Sequence, residues 1–219
     1  MSPSTPLKFA VALFEGFQAL DVFGPLDMLN QVSKTEAIEF VVLGHTLNPI
    51  STLNKVAGVP TPPTIGQSVV PTHTFDDAPD DIEVLLVPGG IGARDLEHSQ
   101  KVVDFIKGRY PKLKYLLTVC TGSALAARAG VLDGREATSN KKSFKWVVSQ
   151  RNEVKWVQEA RWVVDGNIWT SSGISAGIDM MLAFIKHQFG DKLAEDVAIA
   201  SEYVWNKDSR DDRFAKHWF

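Results

Sequence analysis

The residue with the clearest chemical potential is Cys120, the only cysteine of the chain, in the stretch LLTVCTGSALAARAG over residues 116–130. Mostly apolar residues run into Cys120 and small residues follow it at once, which predicts a strand over 115–119 and a helix over 121–129. A thiol at such a turn lies beside the first amides and the dipole of the helix, which favour the thiolate. We therefore expect a nucleophile with a lowered pKa, in the geometry of a nucleophile elbow. A lone cysteine that serves as a small buried apolar residue fits the same position.

Two other groups are predicted to lie at the same end of the sheet as the thiol. Gly89 and Gly90 follow an apolar run over 82–87, and their backbone N–H groups could approach a developing anion closely. Asp21 opens a helical pattern that follows the first apolar run of the chain. Ligands of open α/β sheets bind beyond the carboxyl ends of the strands, so these groups are expected to gather there. Taken singly, the glycines also fit a tight turn and Asp21 also fits a helix N-cap.

The elements that must position these residues alternate between apolar runs and helical patterns. Strands are predicted over 8–14, 40–43, 82–87 and 115–119, and helices over 21–32, 102–110, 121–129, 175–189 and 192–205. Alternating stretches around Asp165-Gly166 predict a hairpin, and 48–79 is interpreted as a long connection with one or two short strands, one of them near 68–70. This order predicts a single domain over 1–219, of α/β class, with a doubly wound, mostly parallel sheet and helices on both faces.

The composition excludes several classes of function. The chain has 219 residues, of which 44% are hydrophobic and 22% charged, and its net charge of −3 gives no reason to expect a nucleic-acid partner. No apolar run approaches the roughly 20 residues that span a bilayer, and the N-terminal residues lack the pattern of a secretory signal. We therefore expect a cytoplasmic protein that acts on a small molecule, with neither nucleic acid nor membrane as partner.

Metal binding and a disulfide framework are also not expected. The chain offers no second cysteine and no His-x-x-x-His pair, and its five histidines are isolated and expected to be surface or packing residues. The six tryptophans are expected in the core or in a subunit contact. Pro25 is expected in the first turn of its helix, and the Lys141-Lys142 pair at a solvated helix start.

Four motifs together resemble the DJ-1/PfpI superfamily. They are GFQALDVFGP over 16–25, VPGGIGARDL over 87–96, VCTGSALAARAGVLDGREAT over 119–138 and WTSSGISAGIDMML over 169–182. The resemblance implies a flavodoxin-like fold, a nucleophilic Cys120, an acidic partner at Asp21 and backbone donors near Gly90 and Thr121. It also implies a homodimer and no cofactor.

Within the superfamily, the Asp of LDVFGP and the Cys-Thr-Gly stretch are most similar to the isocyanide hydratases. These enzymes convert an isocyanide (isonitrile) and water into an N-substituted formamide. The resemblance then implies Cys120 as nucleophile, Asp21 as general acid and base, and Thr121 as a residue that orients water or nitrogen. The peptidase branch carries histidine directly after the cysteine, where this chain has Thr121, so peptide cleavage is not expected. The transcriptional regulators of the superfamily append a helix-turn-helix domain, which is not expected here.

One stretch departs from the hydratase pattern and leaves other functions open. Hydratases of bacterial type commonly show a threonine-histidine pair in the stretch that here reads ATSNKKSFKW, with Asn140 and Lys141 in that region. The same thiolate would also serve a glyoxalase-type enzyme that acts on small 2-oxoaldehydes. A third hypothesis is a redox-responsive protein in which Cys120 is oxidised rather than catalytic.

Overall fold

The computed structural model describes residues 5–53 and 65–219, whose centre is a seven-stranded sheet. The described strands are β1 (Lys8–Ala12), β2 (Glu39–Gly44), β3 (Ile50–Ser51), β4 (Ser68–Val69), β5 (His73–Thr74), β6 (Val84–Val87), β7 (Tyr115–Val119), β8 (Glu136–Ala137), β9 (Lys155–Trp156), β10 (Trp162–Asp165) and β11 (Ile168–Ser171). The described α-helices are α1 (Ala19–Val32), α2 (Leu96–Arg109), α3 (Gly122–Arg128), α4 (Phe144–Val148), α5 (Ala176–Phe189) and α6 (Asp191–Ala200).

The strands of the central sheet follow the order β10-β11-β7-β6-β1-β2-β5. All neighbouring pairs are parallel except β10 and β11, which form a hairpin through Gly166 at a φ of 61°. The two remaining ladders, β3 with β4 and β8 with β9, are two-residue pairs at the periphery. The predicted α/β class and the mostly parallel sheet are confirmed, as is the hairpin at Asp165-Gly166.

The apolar runs form the inner strands because both of their faces are covered. The segments KFAVA, VLLV and YLLTV of β1, β6 and β7 are buried almost throughout, as central strands of a parallel sheet must be. Helices α1, α5 and α6 pack against one another, while α2 packs against α3. These two groups of helices cover the sheet, as expected for a doubly wound, flavodoxin-like fold.

Helices α2 and α6 differ from their predicted ranges by five or more residues at one end, for local reasons. Helix α2 begins at Leu96 rather than near residue 102, because the Asp95 side chain accepts a hydrogen bond of 2.9 Å from the Glu97 N–H and caps it. Helix α6 ends at Ala200 rather than near residue 205. Glu202 has a φ of 48°, in the left-handed region where a helix cannot continue.

Two single-residue expectations are wrong. Pro25 lies inside α1 rather than in its first turn, so it removes the N–H that would bond the carbonyl of Asp21. Lys141, expected at a solvated helix start, is buried and only 4% exposed, whereas its neighbour Lys142 is exposed.

The predicted long connection over 48–79 contains β3, β4 and β5. Strand β4 lies where a short strand is predicted, and residues 54–64 of the connection lie outside the described part of the chain.

Candidate active site

Cys120 lies at a sharp turn between β7 and α3. Its φ of 57° is in the left-handed region, which is uncommon for a residue other than glycine, aspartate or asparagine. Its backbone is held on both sides, since its N–H donates to the carbonyls of Ser171 and Ser172 and its carbonyl accepts from two hydroxyls. Gly122, two residues after Cys120, has to be a glycine because a Cβ there would collide with the carbonyl of Val87. The predicted strand-to-helix elbow is therefore present, and it is a strained one.

Asp21 lies in the first turn of α1 and is fully buried at 0% exposure. One carboxylate oxygen, Oδ2, accepts a hydrogen bond of 2.9 Å from the Gly89 N–H. The carboxyl also has a side-chain hydrogen-bond contact with the Cys120 thiol, while Oδ1 is buried without a hydrogen-bond partner. Burial raises the pKa of Asp21 to about 7, against the opposing effects of Gly89 and Cys120. The carboxyl therefore has both protonation states available near neutral pH.

Thr121 is joined to the glycine-rich loop by its side chain. Its hydroxyl accepts a hydrogen bond of 3.0 Å from the Gly90 N–H and lies 3.2 Å from the Gly90 carbonyl. A Cβ on Gly89 would lie 2.5 Å from the Thr121 nitrogen and 3.0 Å from Asp21 Oδ2, so only glycine fits between the two. The structure thus brings together all of the predicted site residues.

The backbone donors are distributed differently from the prediction. The N–H groups of Gly89 and Gly90 already have acceptors in Asp21 and Thr121, so they organise the site rather than face the sulfur. The N–H groups that contact the sulfur of Cys120 belong to Thr121 and Ile174. Of the three predicted backbone donors, Thr121 is the one that lies at the reactive atom.

The surroundings of Cys120 do not favour the low thiol pKa that the sequence predicts. Burial raises the pKa of the thiol far above its ordinary range, and the charge of Asp21 raises it further. The N–H groups of Thr121 and Ile174 and the Thr121 hydroxyl oppose this effect without cancelling it. The helix terminus on which the prediction depended is outweighed because Cys120 is only 7% exposed. The titratable group that lies against this buried thiol is the Asp21 carboxyl.

Sequence reasoning missed Ile174 as a site residue. Ile174 has a φ of 51°, a strained value for a β-branched side chain, and it lies in the loop between β11 and α5. The loop is packed against Asn140, since a Cβ on the preceding Gly173 would collide with the Asn140 side-chain amide. No spacing or composition signal marks Ile174, because its contribution is a backbone N–H whose direction depends on the loop conformation.

The described residues form neither a candidate metal site nor a membrane-spanning helix. Over residues 5–53 and 65–219, no three His, Cys, Asp or Glu side chains converge as metal ligands. Over the same ranges, no helix combines the length and the apolar character required to cross a membrane.

The sequence and the fold are similar to those of proteins already known. The sequence profile of the DJ-1/PfpI family matches residues 7–187. An isonitrile hydratase of Pseudomonas putida is 30% identical over 198 residues, which are 90% of this chain and 79% of that protein. The HTH-type transcriptional regulator GbdR of Pseudomonas aeruginosa is 28% identical over 209 residues, which are 92% of this chain and 52% of the regulator. The crystal structure of a ThiJ/PfpI family protein from Pseudomonas syringae has a TM-score of 0.71 at 26% identity, covering 93% of this chain and 77% of that one.

Proposed function

The chain belongs to the DJ-1/PfpI family, and we propose that within it the protein is an isonitrile hydratase, a lyase that adds water to an isonitrile and releases an N-substituted formamide. The observation that carries the proposal is the pairing of Cys120 with a buried carboxyl, Asp21, whose pKa of about 7 suits it to both take and give a proton. The 30% identity to the isonitrile hydratase of Pseudomonas putida over most of both chains supports the same choice.

The first half of the proposed reaction forms a bond between sulfur and the isonitrile carbon. The Asp21 carboxylate takes the thiol proton as the sulfur of Cys120 attacks the electrophilic terminal carbon. The N–H of Thr121 stabilises the negative charge on sulfur while it exists. Asp21 then gives the same proton to the carbon, which yields a thioimidate, S–CH=N–R. One proton is moved and none is gained from outside the pair.

The second half adds water and restores the enzyme. Asp21, again a carboxylate, takes a proton from a water molecule as the water oxygen attacks the thioimidate carbon, and Asp21 then gives this proton to the nitrogen. The C–S bond of the tetrahedral intermediate then breaks as its hydroxyl becomes the carbonyl of R–NH–CHO, and the proton released from that hydroxyl passes through Asp21 to the departing sulfur. The sum is one isonitrile and one water to one formamide. Every proton transfer in this scheme uses Asp21, Cys120 or water, so no cofactor or metal is required.

A substrate comparison tests the proposal. We expect purified protein to convert an alkyl or aryl isonitrile into the formamide, with the new carbonyl oxygen derived from ¹⁸O-labelled water. Cys120→Ala is the matched control and should give only the background rate. Turnover of a 2-oxoaldehyde such as methylglyoxal without turnover of any isonitrile would contradict the proposal in favour of a glyoxalase-type enzyme. Loss of the thiol to peroxide without turnover of either substrate class would favour a redox-responsive protein.

We also propose that the protein acts as a homodimer. Leu20 and Phe23 of α1 and Phe40 of β2 are large apolar side chains that are 41%, 44% and 36% exposed, and together they line one groove. Burying such a groove against a second copy would remove apolar surface from water. Sedimentation velocity of the wild type and of Phe23→Glu tests this. A wild-type monomer at micromolar concentration would contradict it.

A further inference from the structure

Lys141 is a buried cation that the proposed reaction does not use. Its side chain is 2% exposed, and its ammonium group donates to Thr138 Oγ1 at 2.9 Å, to the Ser139 carbonyl at 3.2 Å and to the Ala160 carbonyl at 2.8 Å. All three of its N–H groups therefore have acceptors within the protein. Burying an ammonium group is costly unless it is fully hydrogen-bonded and has a counter-charge.

The counter-charge of Lys141 is Asp212, whose side chain is 0% exposed. Asp212 Oδ2 lies 3.3 Å from the Lys141 ammonium and has no hydrogen bond to any other described group, while Oδ1 accepts from the Phe214 N–H. Asp212 lies beyond residues 7–187, the region that the family profile matches. The C-terminal part of the chain thus supplies a buried carboxylate to a cation that lies inside the family region.

The same C-terminal part is fixed by a second buried ion pair close to the first. Arg161, which follows the Ala160 carbonyl bound by Lys141, pairs with Asp179 at 2.8 Å. Asp179 also accepts hydrogen bonds from the Tyr203 hydroxyl and the backbone N–H of Asn206. The backbone N–H of Arg161 donates to the Ser209 carbonyl. Asp212 is therefore presented to Lys141 from a well-anchored segment.

Ser139 connects this cluster to the reactive sulfur. While Lys141 holds the Ser139 carbonyl, the Ser139 hydroxyl donates a hydrogen bond of 2.8 Å to the carbonyl of Cys120. That carbonyl and the N–H of Thr121 belong to one planar peptide unit, so fixing the oxygen also fixes the direction of the N–H on the other side. The Thr121 N–H is one of the two backbone donors that contact the sulfur.

We propose that Lys141, held by Asp212, is a positioning residue that acts through Ser139 to aim the Thr121 N–H at the sulfur of Cys120. The inference rests on the proposed role of Cys120 as nucleophile. It gives Asp212, a C-terminal residue outside the region matched by the family profile, an indirect role in the active site through its ion pair with Lys141. Because the cation bonds to Ser139 and not to the sulfur, its effect is exerted through the geometry of the Cys120–Thr121 peptide.

Alkylation of Cys120 by iodoacetamide tests this without any isonitrile, because the reagent reacts with the thiolate. The variants are Ser139→Ala, Lys141→Met and the double variant Lys141→Met/Asp212→Asn, which leaves no unpaired charge buried. We expect each to lower the alkylation rate constant by at least about threefold near neutral pH, equivalent to a rise of about half a unit in the thiol pKa. The double variant should regain thermal stability relative to Lys141→Met alone while its alkylation stays slow.

The sign of the change separates positioning from a merely structural role. Loosened packing around a buried thiol would expose it and speed alkylation, whereas a misdirected Thr121 N–H slows it. The control is Lys142→Met, which removes the neighbouring exposed lysine and should leave the rate unchanged. Equal or faster alkylation in Ser139→Ala and in the double variant, or equal slowing by Lys142→Met, would overturn the proposal. A wild type that hydrates no isonitrile would refute the proposed function but leave this comparison intact.

Discussion

Replacing Asp21 by asparagine should raise the free energy of unfolding of the protein and slow the proposed hydration of isonitriles. The carboxyl is fully buried, and burial raises its pKa from an ordinary value of 3.8 to about 7. A difference of about three pH units between the folded and unfolded states corresponds to about 4 kcal/mol. Above neutral pH, where Asp21 is ionised in the folded protein, burial of its charge therefore lowers the free energy of unfolding by about that amount. Asparagine has the same shape, can still accept from the Gly89 N–H and carries no charge.

The pH dependence of this effect has a definite sign. Between about pH 4 and pH 7 the folded state keeps a proton on Asp21 that the unfolded state has lost, so the wild type loses stability as the pH rises. Below about pH 4 both states are protonated, and above about pH 7 both are ionised, so the dependence is flat outside this range. The free energy of unfolding of Asp21→Asn minus that of the wild type should therefore rise by about 4 kcal/mol across the range. The amide that the variant buries adds a constant that does not depend on pH.

Urea unfolding at several pH values, analysed by linear extrapolation, measures that difference. Asp27→Asn is the matched control, because Asp27 is an exposed carboxyl on the same helix α1. At neutral pH, Asp21→Asn should also lower the rate of isonitrile hydration by a factor on the order of 10²–10⁴, as the loss of a general acid and base does. A stability difference that stays constant between about pH 4 and pH 8 would refute the assignment of a raised pKa to Asp21.

Three further substitutions test other parts of the site. Cys120→Ala should abolish turnover and remain folded, as circular dichroism would show, because alanine also fits the small buried position. Thr121→Val should cost about 1–3 kcal/mol of stability and slow turnover, because it leaves the Gly90 N–H without the acceptor it has at 3.0 Å; unchanged urea midpoints and kinetics would contradict this. Gly89→Ala should abolish turnover, because its Cβ would lie 2.5 Å from the Thr121 nitrogen. The control Gly108→Ala, whose new Cβ would have no atom within 4 Å apart from its chain neighbours and its own helix backbone, should keep full activity and gain up to about 1 kcal/mol of stability.

The sequence by itself was enough to predict the class of fold and the edge of the sheet where the side chains and glycines of the site meet, although it did not predict the backbone N–H of Ile174. The apolar runs of the central strands and the helical spacings between them are local patterns, and a parallel sheet gathers the carboxyl ends of its strands at one edge. The positions of Cys120, Asp21, Thr121 and the two glycines at that edge follow from the order of elements along the chain. The hairpin is likewise signalled by two adjacent residues, Asp165 and Gly166, which suit a tight turn.

What only the tertiary structure decided is the state of those residues. The proton affinities of Cys120 and Asp21 depend on how much water the surrounding elements exclude, and that exclusion is the sum of contacts from segments far apart in sequence. The burial of Lys141 is of the same kind, because its counter-charge at Asp212 comes from a different part of the chain and no local pattern links the two. Local spacing determines which side chains point the same way, whereas electrostatics depends on distance and solvent exposure in three dimensions, and both are set only when the chain has folded.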